Sequence, residues 1–587
     1  MRRRTLLLMP FLLLLLGQAT WAVTLISRSA GLELPIKEEG KTEYEVGDVD
    51  GDGNLDLVSV GDHGSPYINS DQHGIMVWLG DGAGTWTVHQ FGDFGYGGCA
   101  LGDLNLDGRL DIAWGVHHNY GAGMGSRLMG AALGDGSGAF WTDWGDGLAS
   151  NGETWGMFST ALADFDANGR LDIACQSFGS GNGVRVYENR GDGSWGQVWA
   201  QTGGNAGFRI EACDFDADGR LDIACTRYGT NIYRGDGAFG FTLTQAGLPT
   251  GTVAAIDVGD ADNDGADDIL LSIGATGLRC FRYDTGASTW VEASAGFPTT
   301  GTYTLVQLGD LNGDGLLDAV GYSGPVGRVF LGDGGSSWTL DATWTMPSPG
   351  DNSALRIDGD VDHDGREDIV IQAVQSGFPV NHNQLRVYSP LQEPDALSAR
   401  ITTPKGGETM RVGSIREIRW LAAVPPAQGR ARVSLDLSMS GPEGPWIPIA
   451  LDLPDNGRHA WQVAPLGTSS HCRVRMTIAT PADTVRAISS DDFTILQDPA
   501  SVGSQAGGNA FSIRCLPNPA SDGTWIVLQG APAPTATIEL FDPSGRRYHR
   551  SEVAAIGGVR IPLPTGVSFV HARSGDAEAS VRVVRLP

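Results

Sequence analysis

At 587 residues, with 85 glycines and 41% hydrophobic residues, the chain is long enough for several cores and too apolar for intrinsic disorder. Its formal net charge of −29 argues against nucleic acid or anionic lipid as partners, since so acidic a chain repels phosphate and needs solvent or cations around its carboxylates. Seven cysteines (Cys99, Cys175, Cys213, Cys225, Cys280, Cys472, Cys515) are too few and too scattered for a disulfide framework.

The N-terminus carries Arg2, Arg3 and Arg4, an apolar run from Leu6 to Leu16, and small residues around Ala19 and Ala22. This pattern predicts a secretory signal peptide over residues 1–22, too short to span a bilayer as a helix. An exported protein, secreted or at the outer surface of a bacterium, is therefore expected. No later segment is apolar enough for a transmembrane helix.

From residue 23 to 390 one nine-residue segment recurs seven times, beginning at Asp48, Asp103, Asp164, Asp214, Asp260, Asp310 and Asp360. Positions 1, 3, 5 and 9 are Asp or Asn in every copy, as required if alternate side chains of a tight loop converge on one hard cation that takes six to eight oxygens. Position 7 varies freely and would contribute its backbone carbonyl. The expected ligand sets are Asp48, Asp50, Asp52, Asn54 and Asp56; Asp103, Asn105, Asp107, Arg109 and Asp111; Asp164, Asp166, Asn168, Arg170 and Asp172; and Asp214, Asp216, Asp218, Arg220 and Asp222. They continue with Asp260, Asp262, Asp264, Ala266 and Asp268; Asp310, Asn312, Asp314, Leu316 and Asp318; and Asp360, Asp362, Asp364, Arg366 and Asp368. Position 6 is always glycine, from Gly53 to Gly365, where a sharp turn demands a conformation costly for other residues. Oxygen ligands without His or Cys favour Ca²⁺ over zinc or copper, so up to seven Ca²⁺ ions are expected.

Each loop is flanked by β-type runs such as Leu305–Leu308 before it and Ile369–Val370 after it, which places it in a strand-loop-strand hairpin rather than between helices. A Gly-Asp-Gly turn and an aromatic follow, as in Val77–Gly82 with Trp86 and Val329–Gly334 with Trp338. Each unit therefore supplies about four strands, the content of one propeller blade. The seventh unit stops near Tyr388, whereas Ile26–Leu32 (ISRSAGL) matches Val291–Phe297 (VEASAGF) at the end of the fifth. An N-terminal strand is thus expected to complete the seventh blade.

These motifs resemble FG-GAP/VCBS repeats, the units of integrin α-subunit propellers and of many bacterial exported proteins. The resemblance implies an all-β chain: a seven-bladed β-propeller with Ca²⁺ in the loop between the first and second strands of its blades, followed here by two small β-sandwich domains. Asn105, Asn168 and Asn312 stand where the pattern has Asp, lowering the ligand charge in three loops.

Residues 399–497 alternate like a small β-sandwich, and TPKGGETMRVGSIREIRW resembles the fibronectin- or Ig-like domains of bacterial surface proteins. A Gly/Ser/Ala-rich linker at 498–510 leads to residues 511–587, where Leu516-Pro517-Asn518-Pro519, the LFDPSGR turn and a final strand resemble a type IX secretion sorting domain. That resemblance implies an encounter with export and sorting machinery.

Long connections opposite the calcium loops gather His63, Tyr67, His73, His117, His118, Tyr120, Arg127, Trp144, Glu153, Trp155 and His382. Through ring closure these belong to contiguous blades, and their rings suit stacking on sugars or gripping a peptide. Neither the histidine spacing nor any G-x-S-x-G, HExxH or phosphate-loop motif points to catalysis, so no catalytic residue is assigned. The expected function is a non-catalytic adhesion or binding protein for an extracellular glycan or protein, the alternative being a calcium-dependent polysaccharide-degrading enzyme of the lyase-propeller type. Two Arg-Gly-Asp tripeptides, at 190–192 and 234–236, fall where other units have Leu-Gly-Asp and read as the repeat's own turn.

Overall fold

Asp-rich units I to VI each fold as one four-stranded antiparallel sheet and unit VII supplies three strands of a seventh, the metal-type loop joining the first two strands of each and, in units I, II, III, IV and VI, the Gly-Asp turn joining the last two. The computed structural model describes residues 24–585 except 33–36, 39–43, 61–73, 93, 95–96, 116–126, 150–156, 178–182, 203–205, 228, 252, 336, 346–354, 376–381, 391–393, 498–511, 517–522, 530–534, 543–545, 555–557, 563–565 and 576. Residues 1–22, where a signal peptide is expected, lie outside that range.

Blade I comprises Tyr44–Gly47, Asp56–Val60, Ile75–Gly80 and Trp86–Phe91. Its second strand is buried at all five positions, while Trp86–Phe91 is partly exposed. Inner strands flanked by blades on both faces must be apolar throughout, which is why they read as continuous runs rather than as alternation. Blades II to VI repeat this order, with first strands Cys99–Gly102, Met157–Ala163, Ala206–Cys213, Val253–Gly259 and Leu305–Gly309. The first strand of every blade touches that of the next, and Leu355–Arg356 of blade VII touches both Leu305–Gly309 and Tyr44–Gly47, so the inner strands form a closed ring.

Closure uses the N-terminus as its motif match predicts. Leu25–Ser27 pairs antiparallel with Tyr388–Pro390, supplying the fourth strand of blade VII, and Lys37–Glu38 adds a short pairing to the same partner strand. The segment that follows then grips the next blade. Trp86 donates its backbone N–H to Ala30 O at 2.9 Å and its indole N–H to Arg28 O at 2.8 Å. Trp338 does the same to Ala295 O (2.7 Å) and Ala293 O (3.0 Å) from the end of blade V. Gly31 and Gly296 are needed at this lock: each has a left-handed φ, and a Cβ would stand 2.3 and 1.9 Å from the Trp86 and Trp338 carbonyl oxygens.

Apolar clusters fill the gaps between blades. Leu32, Val46, Leu57, Trp78 and Trp86 pack against Val361, Val370 and Val387 across the junction of blades I and VII. Full burial of a side chain such as Leu57 contributes roughly 1.5–3 kcal/mol. Cys99, Cys175, Cys213, Cys225, Cys280 and Cys472 are all buried, as small strand residues are expected to be.

Two further all-β units follow. Ser398–Thr403, Ile415–Ala423 and Arg458–Gln462 form one sheet of a sandwich, and Thr409–Arg411, Phe493–Leu496, Ser469–Ala479, Arg432–Ser438, Trp446–Pro454 and Thr484–Ile488 form the other. Ile418, Trp420, Val433, Val474 and Phe493 fill the space between them. From Ser512 to Arg585 a three-stranded and a four-stranded sheet complete the chain. No helix among the described residues is long and apolar enough to cross a membrane.

Candidate metal centres

Every loop is shaped by its own carboxylates. The position 1 aspartate accepts the glycine N–H of position 6 on one oxygen, at 2.7–3.1 Å in all seven loops. In all but blade VI its other oxygen accepts the N–H of position 5 at 3.0–3.1 Å. These bonds wrap the chain around one carboxylate and aim the next two side chains inward. Two left-handed residues make the wrap possible: the position 6 glycines, and position 4, where Leu106, Ala167, Ala217, Asn263 and His363 have φ from 52° to 61°. Sequence reasoning missed position 4, because residues of five types occupy it and only Gly51 and Gly313 advertise the conformation.

Position 9 is the most buried member, at most 4% exposed from Asp56 to Asp368. It accepts the N–H of position 2 at 2.7–3.2 Å in every blade. In blades I, II, III, IV and VI its other oxygen accepts an N–H from the end of the third strand, such as Gly80 and Gly235. This carboxylate therefore ties loop to sheet in addition to any ligand role.

Acidic oxygens converge within 4.8 Å of one another in five loops: Asp48, Asp50 and Asp56; Asp164, Asp166 and Asp172; Asp214, Asp216 and Asp218; Asp260, Asp262 and Asp268; Asp360, Asp362 and Asp368. Blades II and VI, with Asn105 and Asn312 at position 3, form no such triad among the described residues. There the amide instead donates to the position 5 carboxylate, Asn105 to Asp107 at 3.1 Å and Asn312 to Asp314 at 2.9 Å. Asn168 of blade III donates likewise to Asp166 at 2.9 Å. At position 7 the backbone N–H groups of Asn54, Arg109, Arg220, Ala266, Leu316 and Arg366 donate to position 5 at 2.8–3.0 Å.

Electrostatics mark these loops as cation-seeking. Burial, with the charge of the neighbouring loop aspartates adding to it, pushes the carboxyl groups of Asp56 and Asp172 up to about 8 and those of Asp222 and Asp268 to about 9. Rim arginines answer part of the charge: Arg28 meets Asp362 at 2.8 Å, Arg282 meets Asp262 at 3.3 Å, and Arg234 meets Asp218 at 3.1 Å. Even so, Asp216 Oδ1, Asp262 Oδ1, Asp362 Oδ1, Asp364 Oδ2 and Asn168 Oδ1 are buried without a hydrogen-bond donor. Buried oxygens left open in an all-oxygen cluster fit a hard divalent cation, and Ca²⁺ accommodates such a crowded, flexible set better than Mg²⁺.

Residues 48–114, 164–225 and 214–271 match the FG-GAP-like repeat family. The chain carries FG-GAP-like repeats. No curated protein matches it. The FG-GAP-like segments take in loops I to V, including four of the five triads, and the structure extends the same blade to units VI and VII.

Of the residues expected in a ligand patch, His63, Tyr67, His73, His117, His118, Tyr120, Glu153 and Trp155 lie outside the described residues. His382 begins the strand His382–Pro390, paired with Gln375 and Glu38. Arg127 forms an ion pair with Asp143, and Trp144 meets Trp195 of blade III edge-on at 5.8 Å while accepting its indole N–H at 2.8 Å. The two Trp144–Trp195 contacts join blades II and III at their rim. Both Arg-Gly-Asp segments form the repeat's turn: Asp192 and Asp236 accept N–H groups two residues on, as Asp81 and Asp333 do.

Proposed function

We propose that this FG-GAP-repeat chain is an exported or cell-surface, calcium-stabilised propeller that binds an extracellular glycan or protein without transforming it. The observation that carries this reading is the burial of the metal-loop end of the disc beneath the sandwich at 398–496, where Arg458 meets Asp358 at 3.1 Å and Arg430 donates to Asp52 O at 2.7 Å. A structural face covered at all loops but that of blade II by the chain's own domain leaves recognition to the opposite end, where antiparallel connectivity sends the second-to-third and fourth-to-first connections bearing most of the histidines and aromatics.

Binding of the full-length protein to a glycan array and to surface-protein extracts, with and without Ca²⁺, tests the reading. Retained ligand with no new chain ends supports it. Unsaturated uronic ends appearing in a pectin-like polymer would establish a lyase instead. The triple change His117→Ala, His118→Ala and Trp155→Ala is expected to abolish binding while leaving the melting temperature in place. Export through a signal peptide and a sorting domain belongs to the same proposal; loss of surface exposure on deletion of residues 511–587 checks it.

A further inference from the structure

The sandwich does not touch all seven loops alike. In blades I, III, IV, V and VII the position 6 glycine is buried against it: a Cβ on Gly265 would meet Gly407 at 2.2 Å, one on Gly365 would meet Ala423 at 2.9 Å, and one on Gly169 would meet Gln462 at 2.0 Å. On Gly108 of blade II and Gly315 of blade VI a Cβ would meet nothing. The five loops whose glycines are covered are the five with acidic triads; of the two with Asn at position 3, loop VI still takes the Arg400 guanidinium of the sandwich on Asp310 Oδ2 at 2.7 Å and on Gly313 O at 3.1 Å, and loop II is the open one.

The contacts depend on loop shape. The Arg411 and Arg416 guanidinium groups donate to Asp218 O and Gly219 O at 2.6 Å each, and Val424 N–H donates to His363 O at 2.9 Å. The backbone N–H of Ile415 donates to Asp164 Oδ2 at 2.9 Å, and Asn456 donates to Asp48 Oδ2 at 3.2 Å. Such carbonyls and carboxylate oxygens are in place only while a loop holds its wrap. Near the axis, Arg419 and Arg458 converge on Asp358 of blade VII beside a polar cavity of about 530 Å³ lined by both domains.

We propose that the sandwich is a lid over the metal loops of every blade but II, and that cation binding and lid docking stabilise each other. A cation that fixes a loop presents the lid with its acceptors; a docked lid bars the cation's exit. Reciprocity follows from linkage. Loop II stays open and exchanges freely. This inference rests on the reading of the loops as calcium sites.

The test uses the full-length protein. Bound Ca²⁺ is first counted at equilibrium, then released into excess fluorescent chelator by stopped flow. Two phases are expected, the larger from the covered loops and slower by about tenfold or more, within the usual range of coupling. Gly265→Ala and Gly108→Ala form a matched pair, with φ of 92° and 87° at the same loop position, so each strains its own loop equally while only the first strikes the lid. Gly265→Ala is expected to move the slow phase into the fast one and to raise amide exchange at Ile415 and Val424; Gly108→Ala leaves the slow phase. Asp358→Asn, outside the loops, is expected to act like Gly265→Ala. Calcium bound normally but released in a single phase, or Gly265→Ala and Asp358→Asn both retaining the slow phase of Gly108→Ala, overturns the lid. Absence of bound calcium overturns the metal reading as well.

Discussion

Among the residues of each loop, position 9 separates geometry from ligation. Asp222 accepts N–H groups from Phe215 at 3.1 Å and Gly235 at 2.7 Å, so Asp222→Ala orphans two buried donors. At roughly 1–3 kcal/mol each, the expected loss is several kcal/mol, and it should persist in chelator, where a residue that served only as ligand would cost nothing. Denaturant titration with and without Ca²⁺ reads the difference. Position 4 offers the opposite case. Leu106 holds φ 61° with its side chain 53% exposed, so it carries the left-handed cost of about 1–2 kcal/mol without compensating burial. Leu106→Gly removes that cost and adds about 0.5–1 kcal/mol of backbone entropy, for an expected net gain of a few tenths to 1 kcal/mol. A lower denaturation midpoint for the variant would contradict the account. Position 6 was legible in the sequence because glycine states its conformation; position 4 was not, because Leu, Ala, Asn and His adopt it only under the pull of the position 1 carboxylate.

At the scale of a blade, the lock between one unit's tail and the next unit's tryptophan explains Trp86, Trp195, Trp290 and Trp338 at the start of the fourth strand in blades I, III, V and VI. The sequence shows the recurrence of the aromatic, and the match of ISRSAGL to VEASAGF reveals where the missing strand comes from, since a repeat betrays its own gaps. What it withholds is the reason for Gly296, whose Cβ would stand 1.9 Å from Trp338 O. Gly296→Ala is expected to lower stability by more than about 2 kcal/mol through backbone displacement and left-handed strain, whereas Gly324→Ala, with φ 60° and open space around it, suffers the strain alone. Thermal melts of the two variants in saturating calcium make the comparison.

Across the whole molecule, the net charge of −29 becomes a question of which carboxylates are buried. Free aspartates titrate near about 4, whereas burial in the metal-free loops holds Asp48 and Asp164 at about 6 and Asp56, Asp172, Asp222 and Asp268 at about 8 to 9. A raised carboxyl pKa favours the fold fully below the unfolded value, and that contribution is lost as pH rises through the folded values. The chelated protein should therefore melt lower at pH 8 than at pH 5, and Ca²⁺, which binds the ionised form, should raise the melting temperature more at pH 8. Calorimetry at the two pH values settles the sign; an equal or smaller calcium effect at pH 8 would refute it. The position of the sandwich on the loop face was not legible in the sequence, because its contacts are long-range and many run to backbone carbonyls that any residue possesses.

Ring closure by Leu25–Ser27 also bears on how the protein is made. Ser29 Oγ donates to Val387 O across a separation of 358 residues, so a segment made before all seven blades must wait for the last of them. Until then a nascent chain is an open arc with an unpaired strand edge at each end, and pairings of such high contact order form slowly. A partner chain could pair with those edges in the interval, so the hazard for this fold is greatest during assembly, before the circle shuts and both edges disappear.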